Sequence, residues 1–334
     1  MTRKIIRVFS LLVLLITLSV AFFIYQHQQK SQKITSPSPL LFGTNIGLFN
    51  SQDSFLTQDS VKKLMKTMHV TTVRIPIRQI SDGTPPVWPQ ALQDAKDLNL
   101  LPLLILPVSS DYTKSVTEDG QIITTVNSIM GKKRVFYEFG NEEDLSNGTN
   151  QYKYTDRWNQ LVPALKHLAP AAWFGGPVTF QQNAPYVAYF YHHTDPKPDF
   201  ISWHTYFCTP QSSAQACIAN VAHFADDMAT TKNAIQANGD SIPPIFITEW
   251  NYDATQGAID DPRNTPQFQQ KFVKTVLQEF AKDNIYAAYQ YVLNSNPAFN
   301  LINTDNTTLT PAGQQFQLMY KQLITAKQDA TPLP

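Results

Sequence analysis

The chain has 334 residues. This length suits one large α/β domain, because an eightfold α/β barrel typically needs about 250 residues. Lysine and arginine together number 26, as do aspartate and glutamate, so the formal net charge is zero. A neutral chain lacks the long-range positive field that gathers phosphate groups, which argues against a nucleic-acid partner.

The first predicted element is an apolar segment, Val8–Tyr25, of about 18 residues, near the lower limit for a membrane-spanning helix. Arg3, Lys4 and Arg7 precede it, so the positive-inside rule places the N-terminus in the cytoplasm and the rest of the chain outside. A cleaved signal peptide is the alternative, but its apolar core usually ends in small residues, whereas this one ends in Ala-Phe-Phe-Ile-Tyr. We expect residues 1–25 to be an uncleaved anchor, and on either interpretation we expect the globular part to be exported.

Residues 26–40 are polar and contain Ser-Pro-Ser-Pro, which predicts a short extended linker. From residue 41 to residue 325, short apolar runs alternate with amphipathic stretches, as is typical of βα units around a parallel sheet. Residues 326–334 are predicted to be a C-terminal tail. The eight predicted strands are Leu41–Ile46, Thr71–Pro76, Leu101–Leu106, Val135–Asn141, Ala172–Gly175, Phe200–Tyr206, Ile245–Glu249 and Ala287–Val292.

The helical stretches between the strands carry clear start signals. Thr265-Pro266 and Thr310-Pro311 each combine an N-cap residue with proline at the first helical position. An open doubly wound sheet is the alternative architecture, but a Gly-rich phosphate turn would be expected after its first strand, and none is present. The predicted fold class is therefore α/β, a (β/α)8 TIM barrel preceded by one N-terminal transmembrane helix.

Residues at the C-terminal ends of barrel strands project into the active site of such folds. The polar and aromatic residues at these predicted ends are Asn45, Arg74, Asn141 with Glu142, His204 with Tyr206, Glu249 with Trp250, and Tyr289 or Tyr291. Glu142 and Glu249 each follow an apolar run, where a carboxylate costs several kcal/mol to desolvate unless it is paired or functional. Hydrolysis of an acetal needs one carboxylic acid to protonate the leaving oxygen and one carboxylate across the sugar ring.

Gly140-Asn141-Glu142 at the end of strand four, with Glu249 at the end of strand seven, resembles the clan of retaining glycoside hydrolases on (β/α)8 barrels, a superfamily of cellulase-, xylosidase- and glucuronidase-like enzymes. The resemblance implies that Glu142 is the general acid/base and that Glu249 is the nucleophile. It also implies hydrolysis of O-glycosyl bonds in an extracellular poly- or oligosaccharide. A retaining enzyme should hold its two carboxyl groups about 5–5.5 Å apart, against about 6.5–9.5 Å for an inverting one.

The same resemblance implies roles for the neighbouring side chains. Asn141 would bind the sugar 2-hydroxyl, Tyr206 and Arg74 would hold the nucleophile, and His204 would line the subsite. The remaining candidate substrate contacts each have an alternative: Asn45 is a contact or a turn residue, and Trp250 and Tyr291 stack on sugars or pack at the barrel rim. Many relatives have proline after the Asn-Glu pair and tryptophan at the end of strand eight, and this chain has neither, so the sugar stays open.

Cys208 and Cys217 lie nine residues apart, directly after strand six. In an exported domain we expect them to form a disulfide, while a catalytic thiol is the alternative. We expect no cofactor and no metal. Three further hypotheses remain open: a transglycosylase using the same site, a catalytically silent carbohydrate-binding protein, and a metal hydrolase using His204, Glu142 and Glu249 as ligands. The oligomeric state is left open.

Overall fold

The structure, a computed structural model, describes residues 36–78, 85–108, 111–146, 148–254, 261 and 263–325. Within these residues eight parallel strands form a closed barrel, in which each strand pairs with the next and the eighth pairs with the first. The predicted (β/α)8 architecture is confirmed. The strands are β1 (Gly43–Asn45), β2 (Thr72–Pro76), β3 (Leu101–Leu106), β4 (Phe136–Phe139), β5 (Trp173–Thr179), β6 (Phe200–Cys208), β7 (Ile245–Asp253) and β8 (Ala287–Gln290).

Helices cover the outside of this barrel. The two predicted start signals are confirmed, because the side chains of Thr265 and Thr310 each accept a hydrogen bond from a backbone N–H in the first turn of their helices. The helices are α1 (Ser54–Thr57), α2 (Asp59–Thr67), α3 (Trp88–Asp97), α4 (Tyr112–Met130), α5 (Glu143–Ser146), α6 (Gln151–Leu168), α7 (Ala184–His193), α8 (Ala214–Asn220), α9 (Phe224–Gln236), α10 (Pro266–Lys282) and α11 (Pro311–Leu323). Two short 3-10 helices cover Pro39–Leu41 and Val221–His223.

The lower part of the barrel interior is apolar. Phe200 and Phe246 stack there with ring centroids 3.9 Å apart, and Phe136 packs edge-on against Phe246. Leu40 joins this inner cluster and is 3% exposed. The predicted boundary between linker and barrel at residue 41 is therefore too late, since the 3-10 helix that carries Leu40 already belongs to the barrel core.

None of the helices in the described ranges is long and apolar enough to cross a membrane. The predicted anchor, Val8–Tyr25, and the predicted tail, residues 326–334, lie outside the described residues.

Candidate active site

Glu142 lies in a strained turn at the C-terminal end of β4. Gly140 has a φ of +87° and Glu142 a φ of +52°, the left-handed region that costs a non-glycine residue about 1–3 kcal/mol. The backbone N–H of Glu142 donates to the carbonyl of Val178, a β-branched residue that itself has a φ of +56°. Such strain persists only where the surrounding structure over-determines the backbone, and it is typical of functional sites.

Glu249 faces the barrel interior because of an irregularity in β7. Trp203 is in register with Ile247, but the next residue of β6, His204, is in register with Glu249. Thr248 is thus an extra residue on β7. In a regular strand without this bulge, Glu249 lies two residues after Ile247 and would share its outward face. The shift brings His204 and Glu249 side by side at the mouth of the barrel.

Both carboxylate oxygens of Glu249 are hydrogen-bonded. Nη1 of Arg74 donates to Oε1 at 2.6 Å, and the hydroxyl of Tyr206 donates to Oε2 at 2.6 Å. Burial alone would raise the pKa of Glu249, but the charges of His204 and Arg74 and the hydrogen bonds from Tyr206 and Arg74 outweigh it, so this pKa lies below its ordinary value. The pKa of Tyr206 is raised far above its ordinary value by burial and by the neighbouring carboxylate, which keeps the phenol protonated as a donor.

Arg74 connects the rest of this site. Its side chain is 1% exposed and uses every guanidinium nitrogen, because Nε donates to Glu138 at 2.7 Å, Nη2 to Asn141 at 2.6 Å, and Nη1 to Asn45 at 3.1 Å as well as to Glu249. Glu138 is fully buried. The buried cation is therefore paired with two carboxylates, and its further hydrogen bonds to Asn45 and Asn141 help to satisfy its donors, as a buried ion pair requires.

Asn45 and Asn141 are fixed by these contacts in different ways. The amide of Asn45 is also hydrogen-bonded to the backbone carbonyl of Thr248 at 3.1 Å, so Asn45 ties β1 to β7 and supports Arg74. Asn141 uses only its Oδ1 on Arg74, and no described residue accepts a hydrogen bond from its Nδ2. The amide donor of Asn141 is thus available to a ligand hydroxyl.

Glu142 is held by His204. Nδ1 of His204 lies 2.7 Å from Oε1 of Glu142 and 3.7 Å from Oε2 of Glu249. One polar atom from each of the three side chains lies within 4.8 Å of the other two, while the side chains of Glu142 and Glu249 are 18% and 12% exposed. His204 itself is fully buried and contacts both carboxylates. The sequence had predicted that its side chain would line the subsite.

A cavity of about 250 Å³ opens above Glu249 and Asn141. Tyr291 lines it. Phe49 and Arg78 line it too, and sequence reasoning missed both. Each lies beyond the last residue of its strand, where the apolar pattern that located the strand ends has already stopped.

Trp250 does not reach this cavity. Successive strand residues point to opposite faces, so with Glu249 directed inward Trp250 is directed towards the helices. Its side chain is fully buried beside Phe272 and Phe280 of α10. The predicted substrate contact is corrected to a core residue.

The spacing of Glu142, His204 and Glu249 is short enough for a metal ion to bridge them. A metal ion there would lie close to the guanidinium of Arg74, which donates to Glu249 and carries charge of the same sign. The surroundings of Glu249 therefore favour proton transfer over metal binding at this group.

The predicted disulfide is confirmed. Cys208, the last residue of β6, is bonded to Cys217 of α8, with the Cα atoms 5.2 Å apart. Arg263 packs beside it and pairs with Asp253 at 2.8 Å and Asp261 at 2.5 Å. This cluster ties the segments that follow β6 and β7 together next to the mouth of the barrel.

The sequence model of the family described as glycosyl hydrolase catalytic core matches residues 114–316, more than half of the chain and a range that includes both glutamates. The chain belongs to this family. It is therefore a glycosidase, and the resemblance seen in its sequence is confirmed at the level of the family. No curated protein matches the chain.

Solved structures of glycosidases share the fold of this glycosyl hydrolase. A GH51 arabinofuranosidase from Xanthomonas axonopodis pv. citri is 13% identical with a TM-score of 0.67, over 86% of this chain and 73% of that one. A glucosidase from Croceicoccus marinus is 15% identical with a TM-score of 0.61, over 86% and 68%. A GH128 endo-beta-1,3-glucanase from Amycolatopsis mediterranei is 14% identical with a TM-score of 0.55, over 85% and 99%. At these identities the likeness concerns the fold alone.

Proposed function

We propose that this glycosyl hydrolase is a retaining O-glycosidase, in which Glu249 attacks the anomeric carbon and Glu142 acts as general acid and then general base. The observation that carries the proposal is the pair of carboxylates, with one oxygen of each within 4.8 Å of the other and with unlike surroundings. This approach is compatible with the close spacing of a double-displacement site, which leaves no room for a water molecule between the carboxyl groups.

The surroundings of Glu249 suit a nucleophile. Arg74 and Tyr206 lower its pKa, so its carboxylate is ionised and oriented before the sugar arrives. Glu142 has a different environment, because among the described residues His204 is the one basic side chain within ion-pair distance of it. We assign Glu142 the second role of such a site, that of the carboxyl group that exchanges protons with the leaving alcohol and with water.

The double displacement has two steps, and each accounts for the bonds and protons that change. Glu142 gives its proton to the glycosidic oxygen as the C–O bond breaks, and Glu249 forms a bond to the anomeric carbon, which yields a glycosyl ester and the free alcohol. Water next gives a proton to Glu142 while its oxygen attacks the same carbon, and Glu249 leaves as a carboxylate. The free Nδ2 of Asn141 supports a role in holding the 2-hydroxyl, and Tyr291 supports one in packing against the ring.

The substrate class follows from the fold relatives by analogy. Those relatives are an arabinofuranosidase, a glucosidase and an endo-beta-1,3-glucanase. We infer that the substrate is an O-linked poly- or oligosaccharide outside the cell. The apolar segment Val8–Tyr25 with its preceding basic residues supports a catalytic domain tethered to the outer face of a membrane. Retention of the full chain in membranes after alkaline carbonate extraction would support the tether, and complete release would argue for a cleaved signal.

The test is chemical rescue on a panel of aryl glycosides. Glu249→Ala should lose activity, and azide should restore it with an azide product of inverted configuration. Glu142→Ala should keep activity only on good leaving groups, with azide giving a product of retained configuration. Glu118→Gln, an exposed glutamate of α4, is the control for the loss of one carboxylate. Full activity of both alanine variants on a substrate that the parent cleaves would refute the assignment.

Treatment with a chelator distinguishes the metal-hydrolase hypothesis from the proposed double displacement. If Glu142, His204 and Glu249 held a required ion, dialysis against EDTA would abolish hydrolysis and zinc or manganese would restore it. We expect unchanged kcat after EDTA treatment. A parent chain that binds oligosaccharides but cleaves no member of the panel would favour the silent carbohydrate-binding protein.

A further inference from the structure

The cavity above Glu249 contains a cation that the double-displacement chemistry does not use. Arg78 follows β2 and lines the same cavity as Glu249 and Asn141. Arg78 is an exposed residue. Its guanidinium carbon lies 4.4 Å from the ring centroid of Phe49, which also lines the cavity. Stacking on an aromatic face fixes the plane of a guanidinium while leaving its N–H donors free.

No described carboxylate forms an ion pair with this cation. Among the residues that the structure describes, none lies within ion-pair distance of Arg78. Asp53 is nearby, but its two oxygens accept hydrogen bonds at 2.9 Å from the backbone N–H groups of Leu48 and Phe55. The two carboxylate oxygens of Glu249 accept hydrogen bonds from Arg74 and Tyr206.

The two arginines of the cavity are paired differently. Arg74 forms ion pairs with Glu138 and Glu249, and its nitrogens are all occupied. Arg78 forms no ion pair with a described carboxylate, and it lies in the cavity before any ligand arrives. A planar guanidinium presents two parallel N–H donors, which match the two oxygens of a carboxylate and suit a sulfate equally.

We propose that Arg78 binds an oxyanion carried by the substrate, the carboxylate of a uronic acid or a sulfate ester, on the sugar that occupies the cavity above Glu249 or on its immediate neighbour. The inference rests on the proposed glycosidase function and specifies the substrate class of that site as an acidic glycan. Arg78 then contributes specificity, because with a neutral sugar bound the guanidinium has no ion-pair partner among the described residues.

The test compares matched aryl glycosides with the full chain: a uronide, the corresponding neutral hexoside and its 6-sulfate, for the gluco and galacto series. The parent should favour the acidic member of at least one set, and Arg78→Gln should lower kcat/KM for that member about 10- to 100-fold, the size of a charge-assisted hydrogen bond. Values for the neutral member should stay within about twofold of the parent, on the same scale. Arg78→Lys, which keeps the charge, should give an intermediate loss. Preference for the uronide assigns a carboxylate, and preference for the 6-sulfate assigns a sulfate.

Arg134→Gln is the matched control, since its guanidinium also lies over an aromatic ring, 5.1 Å from the centroid of Trp173, but it lines a different cavity. Equal losses on acidic and neutral members in Arg78→Gln, or a parent that favours every neutral member, would overturn the inference.

A binding measurement distinguishes failure of this inference from failure of the proposed function. Saturation-transfer NMR on the parent and on Arg78→Gln would use sodium glucuronate, sodium galacturonate and the matching neutral sugars. Arg78-dependent binding of an acid sugar without hydrolysis of any glycoside would refute the function and support the inference. If glycosides are hydrolysed but neither the kinetics nor the NMR binding depends on Arg78, the proposed function is supported and the inference about Arg78 is refuted.

Discussion

Nη1 of Arg74 donates a hydrogen bond of 2.6 Å to Oε1 of Glu249, across 175 residues of chain. The same guanidinium holds Glu138 through Nε and Asn141 through Nη2. One buried cation thus sets the position and the charge of the proposed nucleophile, and it also orients the asparagine beside the proposed acid.

Replacing Arg74 should change the pH profile as well as the rate. Glu249 must be ionised to attack, so activity falls as pH drops through its pKa. Loss of the cation raises that pKa and moves the acidic limb of kcat/KM to higher pH in Arg74→Gln. Glu138 is then buried without its partner, which costs about 3–5 kcal/mol of stability.

The double variant Arg74→Gln/Glu138→Gln separates the two effects. It should recover much of the free energy of unfolding, measured by denaturant titration, and should keep the displaced acidic limb. An acidic limb that stays at the parent's pH in both variants would show that Arg74 does not control the nucleophile.

Tyr206→Phe removes the other hydrogen bond to Glu249. The loss of a donor to a charged oxygen should lower kcat/KM about 10- to 100-fold and move the acidic limb upward, by less than the loss of Arg74. Steady-state kinetics against pH give both quantities. Tyr191→Phe is the control, because its hydroxyl bonds to the backbone carbonyl of Ser241. A loss in Tyr206→Phe no larger than in that control would contradict the assignment.

His204 should matter most when the leaving group is poor. Its Nδ1 fixes the carboxyl of Glu142 at 2.7 Å, and protonation of the leaving oxygen limits the rate mainly for basic alcohols. His204→Ala should therefore lose more activity on alkyl glycosides than on nitrophenyl glycosides. His204→Asn, whose amide can reach the position of Nδ1, should lose less. Losses independent of the leaving group would assign His204 to stability alone.

The disulfide should stabilise the barrel without taking part in the chemistry. The closed segment between Cys208 and Cys217 is short, so the paired variant Cys208→Ser/Cys217→Ser should lose about 2–3 kcal/mol of unfolding free energy. We expect kcat at moderate temperature to stay near that of the parent. An inactive but fully folded double variant would instead point to a role for this loop in the site.

We expect Asp119 to lower the free energy of unfolding at neutral pH. Its carboxylate on α4 is fully buried, accepts no hydrogen bond from the described residues, and burial raises its pKa to about 7. Ionising it in the folded chain is unfavourable, so stability is lost as pH rises from the ordinary value towards 7. Asp119→Asn should match the parent near pH 4 (roughly the ordinary pKa of an aspartate) and exceed it at higher pH by on the order of 2–4 kcal/mol. A gain of equal size at low pH would exclude titration as the cause.

The strands were predictable because parallel strands buried on both faces are nearly continuous apolar runs, as in Leu103-Leu104-Ile105-Leu106. The part of β5 after Gly175 was missed, since Gly176 and Pro177 are poor strand formers. Their pairing with β6 keeps them extended. The linker boundary was misplaced because a single leucine, Leu40, gives no periodic signal before it inserts into the barrel.

Within the site, sequence order located the two glutamates and Arg74, Asn141 and Tyr206, because strand ends converge in any closed barrel. The mistake over Trp250 has a specific origin. Adjacent residues on a strand cannot both face the interior, and the extra residue Thr248 decided which of the two did. Phe49 and Arg78 lie outside the strands, where no periodicity indicates direction.

Covalent trapping tests the double displacement most directly. A deoxyfluoro glycoside with a good leaving group slows the second step more than the first, so the glycosyl ester accumulates and can be located by peptide mass spectrometry. The label should lie on the peptide that contains Glu249, and Glu142→Ala should still acquire it. A label on Glu142 or elsewhere, or turnover that releases a product of inverted configuration with no label, would contradict the mechanism.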